Sequence, residues 1–199
     1  MVKKALVVGK GPTAKLIRRE DFPEVDVFVG INQAVQFIDY PDVLVMNDME
    51  GSDDIPDETM KHLKIIVIPF YPHHKEHSQF THTWRDVKSR LKSFTGEFFI
   101  HYLFTTPPPL RLEPFPILHP SPLNSASIAI AYLNSIDVKT IDFYGIALSG
   151  GYSSLLPKFS KYELHLKKNP LLYNPEKQKQ LMNQLCAFAK HKNITIKFS

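Results

Sequence analysis

The chain has 199 residues, 43% of them apolar and 22% charged, with a formal net charge of +4. That length fits one domain, and the apolar share rules out global disorder. The single cysteine, Cys186, excludes a disulfide framework and a cysteine-rich zinc site.

The N-terminal apolar run of MVKKALVVG is too short for a signal peptide. No stretch approaches the roughly 20 apolar residues of a membrane span. A cytoplasmic location is therefore expected. The basic balance favours an anionic partner, for which a nucleotide suffices and nucleic acid is not required.

KALVVG (4–9) reads as a buried strand, and PTAKLIRRE (12–20) as a helix with Pro12 in its first turn. VDVFVGI (25–31) is a second strand, followed by a short helix at NQAVQFI (32–38). DVLVMND (42–48) is a third strand, residues 57–62 a short helix, and LKIIVIP (63–69) a fourth strand. Residues 83–91 suit a helix and EFFIHYLF (97–104) a strand. The proline-rich 105–116 follows as a loop, then a short extended ILHP (117–120). A helix over 124–135 leads to a strand KTIDFYGI (139–146). A long helix at 175–192 carries Cys186 on an apolar face, and NITIKFS (193–199) closes the chain as a strand. Continuous apolar strands alternating with helices predict one α/β domain over 1–199, with a mostly parallel sheet covered on both faces.

Polar clusters sit at the carboxyl ends of these strands, where ligands collect in such sheets. They are GKGPT after the first strand, GINQA after the second, NDMEGSDD after the third and GIALSGGY after the 139–146 strand. Gly9-Lys10-Gly11-Pro12-Thr13 reads either as a tight turn or as an anion cradle opening a helix. Neither standard phosphate fingerprint is complete, since Ala14 stands where a dinucleotide fold has its third glycine. Asn32 reads as a helix cap or as an amide offered to a ligand. Asn47 and Asp48 carry the same ambiguity between turn chemistry and binding. Ser125 and Ser127 open a helix, where they either cap it or donate to a phosphate.

The acidic loop NDMEGSDD has no Asp-x-Asp pair at a strand end and reads as solvated, so no metal is expected. His73, His74, His77 and His82 crowd residues 71–82. The flanking prolines and serine disfavour a regular helix, so a basic loop over the site is expected rather than zinc. Residues 147–174 lack periodicity and read as a lid. The lid contains Tyr152, Tyr162 and His165. A histidine there is a candidate general base, because imidazole titrates near working pH.

In order of elements, nearly the whole chain resembles the sialyltransferase-like glycosyltransferases. These are the bacterial lipooligosaccharide sialyltransferases of family forty-two and their relatives in the Maf flagellin-glycosylation proteins. Their opening G-N-G-P-S is matched by G-K-G-P-T at 9–13, and their strand-end asparagines by Asn32 and Asn47. Ser125–Ser127 leads a helix as their Ser-Gly does, and YGIALSGGY (144–152) stands at their Gly-Ile-Asp strand end. The chain departs from the pattern at Lys10, at Ala147 and in having Ser-Ala for Ser-Gly.

The resemblance implies a Rossmann-like single domain and a metal-independent glycosyltransferase with no cofactor. Its substrate would be a nucleotide-activated sugar, typically CMP-sialic acid. Gly9, Lys10, Gly11, Pro12, Thr13, Asn32, Asn47, Asp48, Ser125, Ser127 and Gly145 would hold the donor. Tyr152 and Tyr162 would hydrogen-bond the leaving phosphate, and His165 would deprotonate the acceptor. The acceptor stays open among glycan, protein, metabolite and hydroxylated nucleic-acid base. Two alternatives stand beside this reading. One is a noncatalytic nucleotide-binding module, and the other a pterin diphosphokinase-like transferase, whose group shares the G-x-G-P-S start.

If His165 is the base, His165→Ala should lower kcat by roughly 10²–10⁴-fold with donor affinity little changed. His191, on the closing helix, should tolerate alanine. Steady-state kinetics of the two variants check this, and normal turnover by His165→Ala would remove that residue from the mechanism.

Overall fold

The computed structural model describes residues 2–47, 49–52, 54–69, 73–74, 77–81, 84–101, 117–118, 124–146, 152–156 and 174–199. Its strands are β1 (Lys3–Val8), β2 (Val27–Ile31), β3 (Val43–Val45), β4 (Ile65–Pro69), β5 (His73–His74), β6 (His77–Thr81), β7 (Glu97–His101), β8 (Ile117–Leu118), β9 (Val138–Tyr144) and β10 (Thr195–Phe198). Its α-helices are α1 (Asp57–His62), α2 (Trp84–Arg90), α3 (Ser125–Ser135) and α4 (Pro175–His191). Short 3-10 turns occupy Arg19–Asp21, Asn32–Phe37 and Met49–Ser52.

Eight strands form one sheet in the order β10-β9-β1-β2-β3-β4-β7-β8. Every neighbouring pair in it is parallel. The fold is thus α/β, as the alternating pattern predicts. From β1 the chain steps outward through β2, β3, β4, β7 and β8, then returns to the other side of β1 for β9 and β10. Right-handed crossovers moving in opposite directions put their connections on opposite faces, and the core divides accordingly. Ala5, Val7, Val29, Val43, Val45, Ile141 and Phe143 pack under α3 and α4. On the other face, Leu44, Met46, Ile66 and Ile68 pack under α1 and α2. Beside them Leu6, Val8 and Phe28 meet Ile17, Phe37 and Leu156.

Alternate residues of β1 therefore enter different cores, which is why ALVV (5–8) is apolar without a break. β3 is only three residues long, but Val43, Leu44 and Val45 are all buried. Burying each contributes about 1.5–3 kcal/mol, enough to hold so short a strand in the middle of a sheet. α3 is apolar nearly all round, because it lies between the sheet and α4. Its Tyr132 sits edge-on to Phe99 at 5.0 Å between ring centroids, and burial pushes the phenol up to about 12. α4 starts at Pro175 with the Asn174 side chain accepting from the Glu176 amide. Its buried stripe runs through Gln178, Leu185 and Ala189, with Met182 partly covered.

Three expectations are corrected. Residues 12–20 are not a helix. Ile17 makes a parallel bridge to Ile38, its amide donating to the Phe37 carbonyl at 2.8 Å and its carbonyl accepting from Asp39 at 2.9 Å. These groups are spent across the chain, Leu16 is 66% exposed, and nine residues cannot sustain a helix without an apolar stripe. Cys186 is exposed, one position past Leu185 and rotated off the stripe. The histidine-rich segment contains a small antiparallel ribbon, β5 with β6, rather than loop alone.

The sheet is also not covered evenly. On the face away from α3 and α4, β9 presents Thr140 and Asp142, and Lys4 of β1 lies beside them. The Lys4 ammonium reaches Asp142 at 2.9 Å and Glu24 at 2.7 Å. Those bonds, Asp142 first, hold its ammonium above the ordinary lysine range.

The amino ends of the strands are pinned by Asp42, only 6% exposed. Its Oδ2 accepts from Arg19 at 2.9 Å and from the Phe28 amide at 3.0 Å, and its Oδ1 accepts from Lys64 at 2.8 Å. Asp42→Ala should cost about 2–4 kcal/mol, because a buried amide and a half-covered guanidinium lose their acceptor. Lys64→Ala should cost under about 1 kcal/mol, since that side chain is 73% exposed. Urea unfolding of both variants measures the difference, and equal losses would contradict it.

Candidate functional site

β1 is the strand where the winding reverses, with β2 on one side and β9 on the other. In open parallel sheets ligands bind in the crevice at the carboxyl ends of the strands where the winding reverses. The Gly9–Thr13 turn leaves β1 at this point.

The turn is tied to β9. Gly9 donates its amide to the Tyr144 carbonyl at 2.8 Å, and Gly11 donates to the Gly145 carbonyl at 2.6 Å. Gly145 in turn donates to Thr13 Oγ1 at 3.0 Å. The two turns approach so closely that a methyl group on Gly9 would sit 2.5 Å from the Gly145 carbonyl oxygen. Gly145 has φ +63° and faces Ala14 and Gly9, so it needs glycine for both backbone and space. The amides of Gly9 and Gly11 are therefore committed to β9, and no helix follows to add its dipole. Pro12 and Thr13 are exposed at the tip.

Lys10 stands between these glycines. Its ammonium donates to Gln33 Oε1 at 2.9 Å and lies 5.4 Å from the centroid of the Tyr152 ring. Its carbonyl accepts from the Ser153 amide at 2.7 Å. Gln33 belongs to the 3-10 turn after β2 and is 3% exposed. Residues 152–156, the described part of the expected lid, are docked here, with Ser153 and Leu156 buried.

Asn32 directly follows β2 and has φ 52°, a left-handed conformation that asparagine tolerates better than most residues. Its side-chain oxygen caps nothing, because Ile31 holds the N-cap position of the 3-10 turn and Asn32 Oδ1 accepts no hydrogen bond among the described residues. Asn32 Oδ1 lies against Gly51, where a methyl group would come within 2.5 Å of it. Asn32 Oδ1 and Asn47 Oδ1 are both buried without a hydrogen-bond partner among the described residues. Asp142 Oδ1 is a third such atom, but its carboxylate is already paired with Lys4 through Oδ2. The asparagine oxygens have no such compensation. Each buried lone acceptor costs about 1–3 kcal/mol, and a left-handed non-glycine residue adds strain of order 1 kcal/mol or more. Both costs fall at adjacent strand ends beside the crevice.

The remaining candidates divide. Ser127 donates both its amide and its hydroxyl to Asn124 Oδ1, each at 2.9 Å, so it completes the cap of α3. Ser125 opens the same helix and is partly exposed. Asp48, Tyr162, His165, Ala147 and His82 lie outside the described residues. Among the described residues, no three His, Cys, Asp or Glu side chains converge as metal ligands, and no helix is long and apolar enough to cross a membrane. Sequence reasoning missed Gln33. Its only signal was a polar residue beside Asn32 in a segment that is otherwise largely buried.

The carboxyl ends of β1, β2 and β3 thus present one ammonium held by Gln33, one aromatic ring beside it, and two buried amide oxygens without a partner among the described residues. The ammonium suits an anion, and the amide oxygens suit hydroxyl or amino donors. Comparison with protein-family models, curated proteins and solved structures finds no match to the chain.

The cost at Asn32 can be measured. Asn32→Gly removes both the strained side-chain-bearing backbone and the lone acceptor, so it should stabilise the ligand-free protein by about 1 kcal/mol. Gly51→Ala pushes a methyl group onto the same amide and should destabilise by about 1–3 kcal/mol. Chemical denaturation of the two variants reads the signs, and a marked loss for Asn32→Gly would mean the amide is structural.

Proposed function

We propose that the chain is a glycosyltransferase whose nucleotide-activated sugar lies across the carboxyl ends of β9, β1, β2 and β3. The observation that carries this reading is the pair of buried, unpartnered amide oxygens of Asn32 and Asn47 at neighbouring strand ends. A nucleotide sugar brings the ribose, base and sugar donors that would satisfy them. The Rossmann-like winding around β1 supports the reading, as does the resemblance carried by G-K-G-P-T, Asn32 and Asn47. On that resemblance the donor is CMP-sialic-acid-like.

In the proposed reaction the acceptor hydroxyl oxygen attacks the anomeric carbon and its proton passes to His165. The bond from that carbon to the phosphate oxygen breaks as the new one forms. Tyr152 and Tyr162 hydrogen-bond the phosphate as it leaves with the electron pair. Gly9 and Gly11 serve this site by letting the β1 turn close against Gly145 rather than by offering their own amides. Asp48, Pro12, Thr13, Ser125 and Gly145 complete the proposed donor surface, and Ser127 acts through the α3 cap.

A noncatalytic nucleotide-binding module is the second reading. Engagement of the Gly9 and Gly11 amides favours it, since it removes contacts a transferase could use on the phosphate. Donor hydrolysis separates the two readings. Release of free nucleotide that His165→Ala abolishes supports transfer, and donor binding without release supports the module.

Calorimetric titration with CMP, UMP and GDP sugars should reveal one bound donor class. The absence of binding to all three would sink the proposal. Turnover should survive EDTA, because the sequence has no Asp-x-Asp pair at a strand end. Loss of activity restored by Mn²⁺ would instead make the residue 47–54 loop a metal site.

A further inference from the structure

We propose that the Met49–Ser52 turn is a gate over the donor site, closed in the structure and lifted when the donor binds. The inference rests on the nucleotide-sugar reading of the site and adds how the donor reaches the amide oxygens at its base.

Asn32 Oδ1 and Asn47 Oδ1 are buried as well as unpartnered among the described residues. A hydroxyl or amino hydrogen has to come within about 1.9–2.0 Å of such an oxygen to pair with it. A buried atom leaves no path for that approach, so part of the surrounding wall has to move.

The cover over Asn32 is Gly51. A methyl group on Gly51 would lie 2.5 Å from Asn32 Oδ1 and 2.8 Å from Met46 Cβ. Gly51 is itself buried, so the turn is seated on the amide rather than passing above it. The hydrogen standing where that methyl would be is a C–H, a weaker donor than the N–H or O–H a ligand brings. Asn47 leads into the same turn, two positions before Met49.

The other walls are fixed. Asn32 directly follows β2, where Phe28, Val29 and Ile31 are buried, and Asn47 follows β3, where all three residues are buried. Between β3 and Asn47, Met46 is 0% exposed and its amide donates to the Val67 carbonyl at 3.0 Å. The turn is a four-residue 3-10 piece, a form with poorer hydrogen-bond geometry than an α-helix. Beyond it Asp54 is exposed with φ 62°, and α1 buries only Met60 along its length. Local opening takes the elements with least buried contact. The turn, and not the strand ends beneath it, is therefore the part that yields. The closed state also carries the cost of the lone acceptors, which the lifted state relieves, because a donor's hydrogens then reach the oxygens. A ligand that pairs with them only in the lifted state shifts the equilibrium toward it.

Calorimetric titration of the full chain with CMP, UMP and GDP sugars, parent beside Gly51→Ala, tests the gate. The added methyl crowds the closed turn, so the variant populates the lifted state more and less of the donor's binding energy goes into opening. Gly51→Ala should bind the parent's donor about tenfold more tightly. In the parent, NMR relaxation dispersion should show the Gly51 and Ser52 amides exchanging at one shared rate, and saturating donor should quench that exchange.

Equal or weaker donor binding by a folded Gly51→Ala overturns the gate and leaves the transferase reading standing. If the variant does not fold, the parent decides. Shared exchange that the donor quenches supports the gate, and a turn without exchange in a parent that binds donor overturns it. A parent that binds none of the three sugars overturns both.

Discussion

The site depends on one close approach, the β1 turn lying against the β9 turn at Gly9 and Gly145. Two main-chain bonds and the Thr13 hydroxyl fasten it, and neither glycine leaves room for a side chain. That fastening turns a flexible glycine loop into a rigid platform. Lys10 projects from it in a fixed direction, and residues 152–156 return to cover its base. The glycines thus serve geometry first.

The two ends of the sheet solve different problems. At the amino ends, Asp42 satisfies an amide and two cations through both of its oxygens. At the carboxyl ends, Asn32 and Asn47 leave amide oxygens unpaired, and Asn32 adopts a left-handed backbone. Expense of this kind concentrates where a ligand later repays it. The Asp42 end is saturated, and the Asn32 end is the one the proposed donor would satisfy.

Much of the architecture was legible in the sequence. The strands at ALVV, VFVGI, VLV and IIVIP are apolar runs of the kind a doubly covered sheet produces, and Pro175 behind Asn174 announces α4. The expected helix over 12–20 fails because Ile17 finds a partner in Ile38, a long-range pairing that no local periodicity records. Cys186 was misplaced by one step of helical rotation. At the site, strand-end clustering singled out Asn32 and Asn47, whose Oδ1 atoms lie buried without a hydrogen-bond partner among the described residues. It could not show that the amides of Gly9 and Gly11 are consumed by β9, since that depends on two segments some 130 positions apart meeting in space. A separation of 23 residues likewise hid Gln33 as the partner of Lys10.

The uneven cover of the sheet bears on how the molecule comes apart. β1, β2 and β3 are sealed by cores on both faces, whereas β10 closes one end of the sheet with Thr195, Lys197 and Phe198 exposed. Local opening follows the density of buried apolar contact. Fluctuations should therefore begin at β10 and α4 and reach the central strands last. Because β9, itself buried at Val138, Ile141 and Phe143, lies between that loose margin and β1, fraying of the flank should stop short of the Gly9–Gly145 contact.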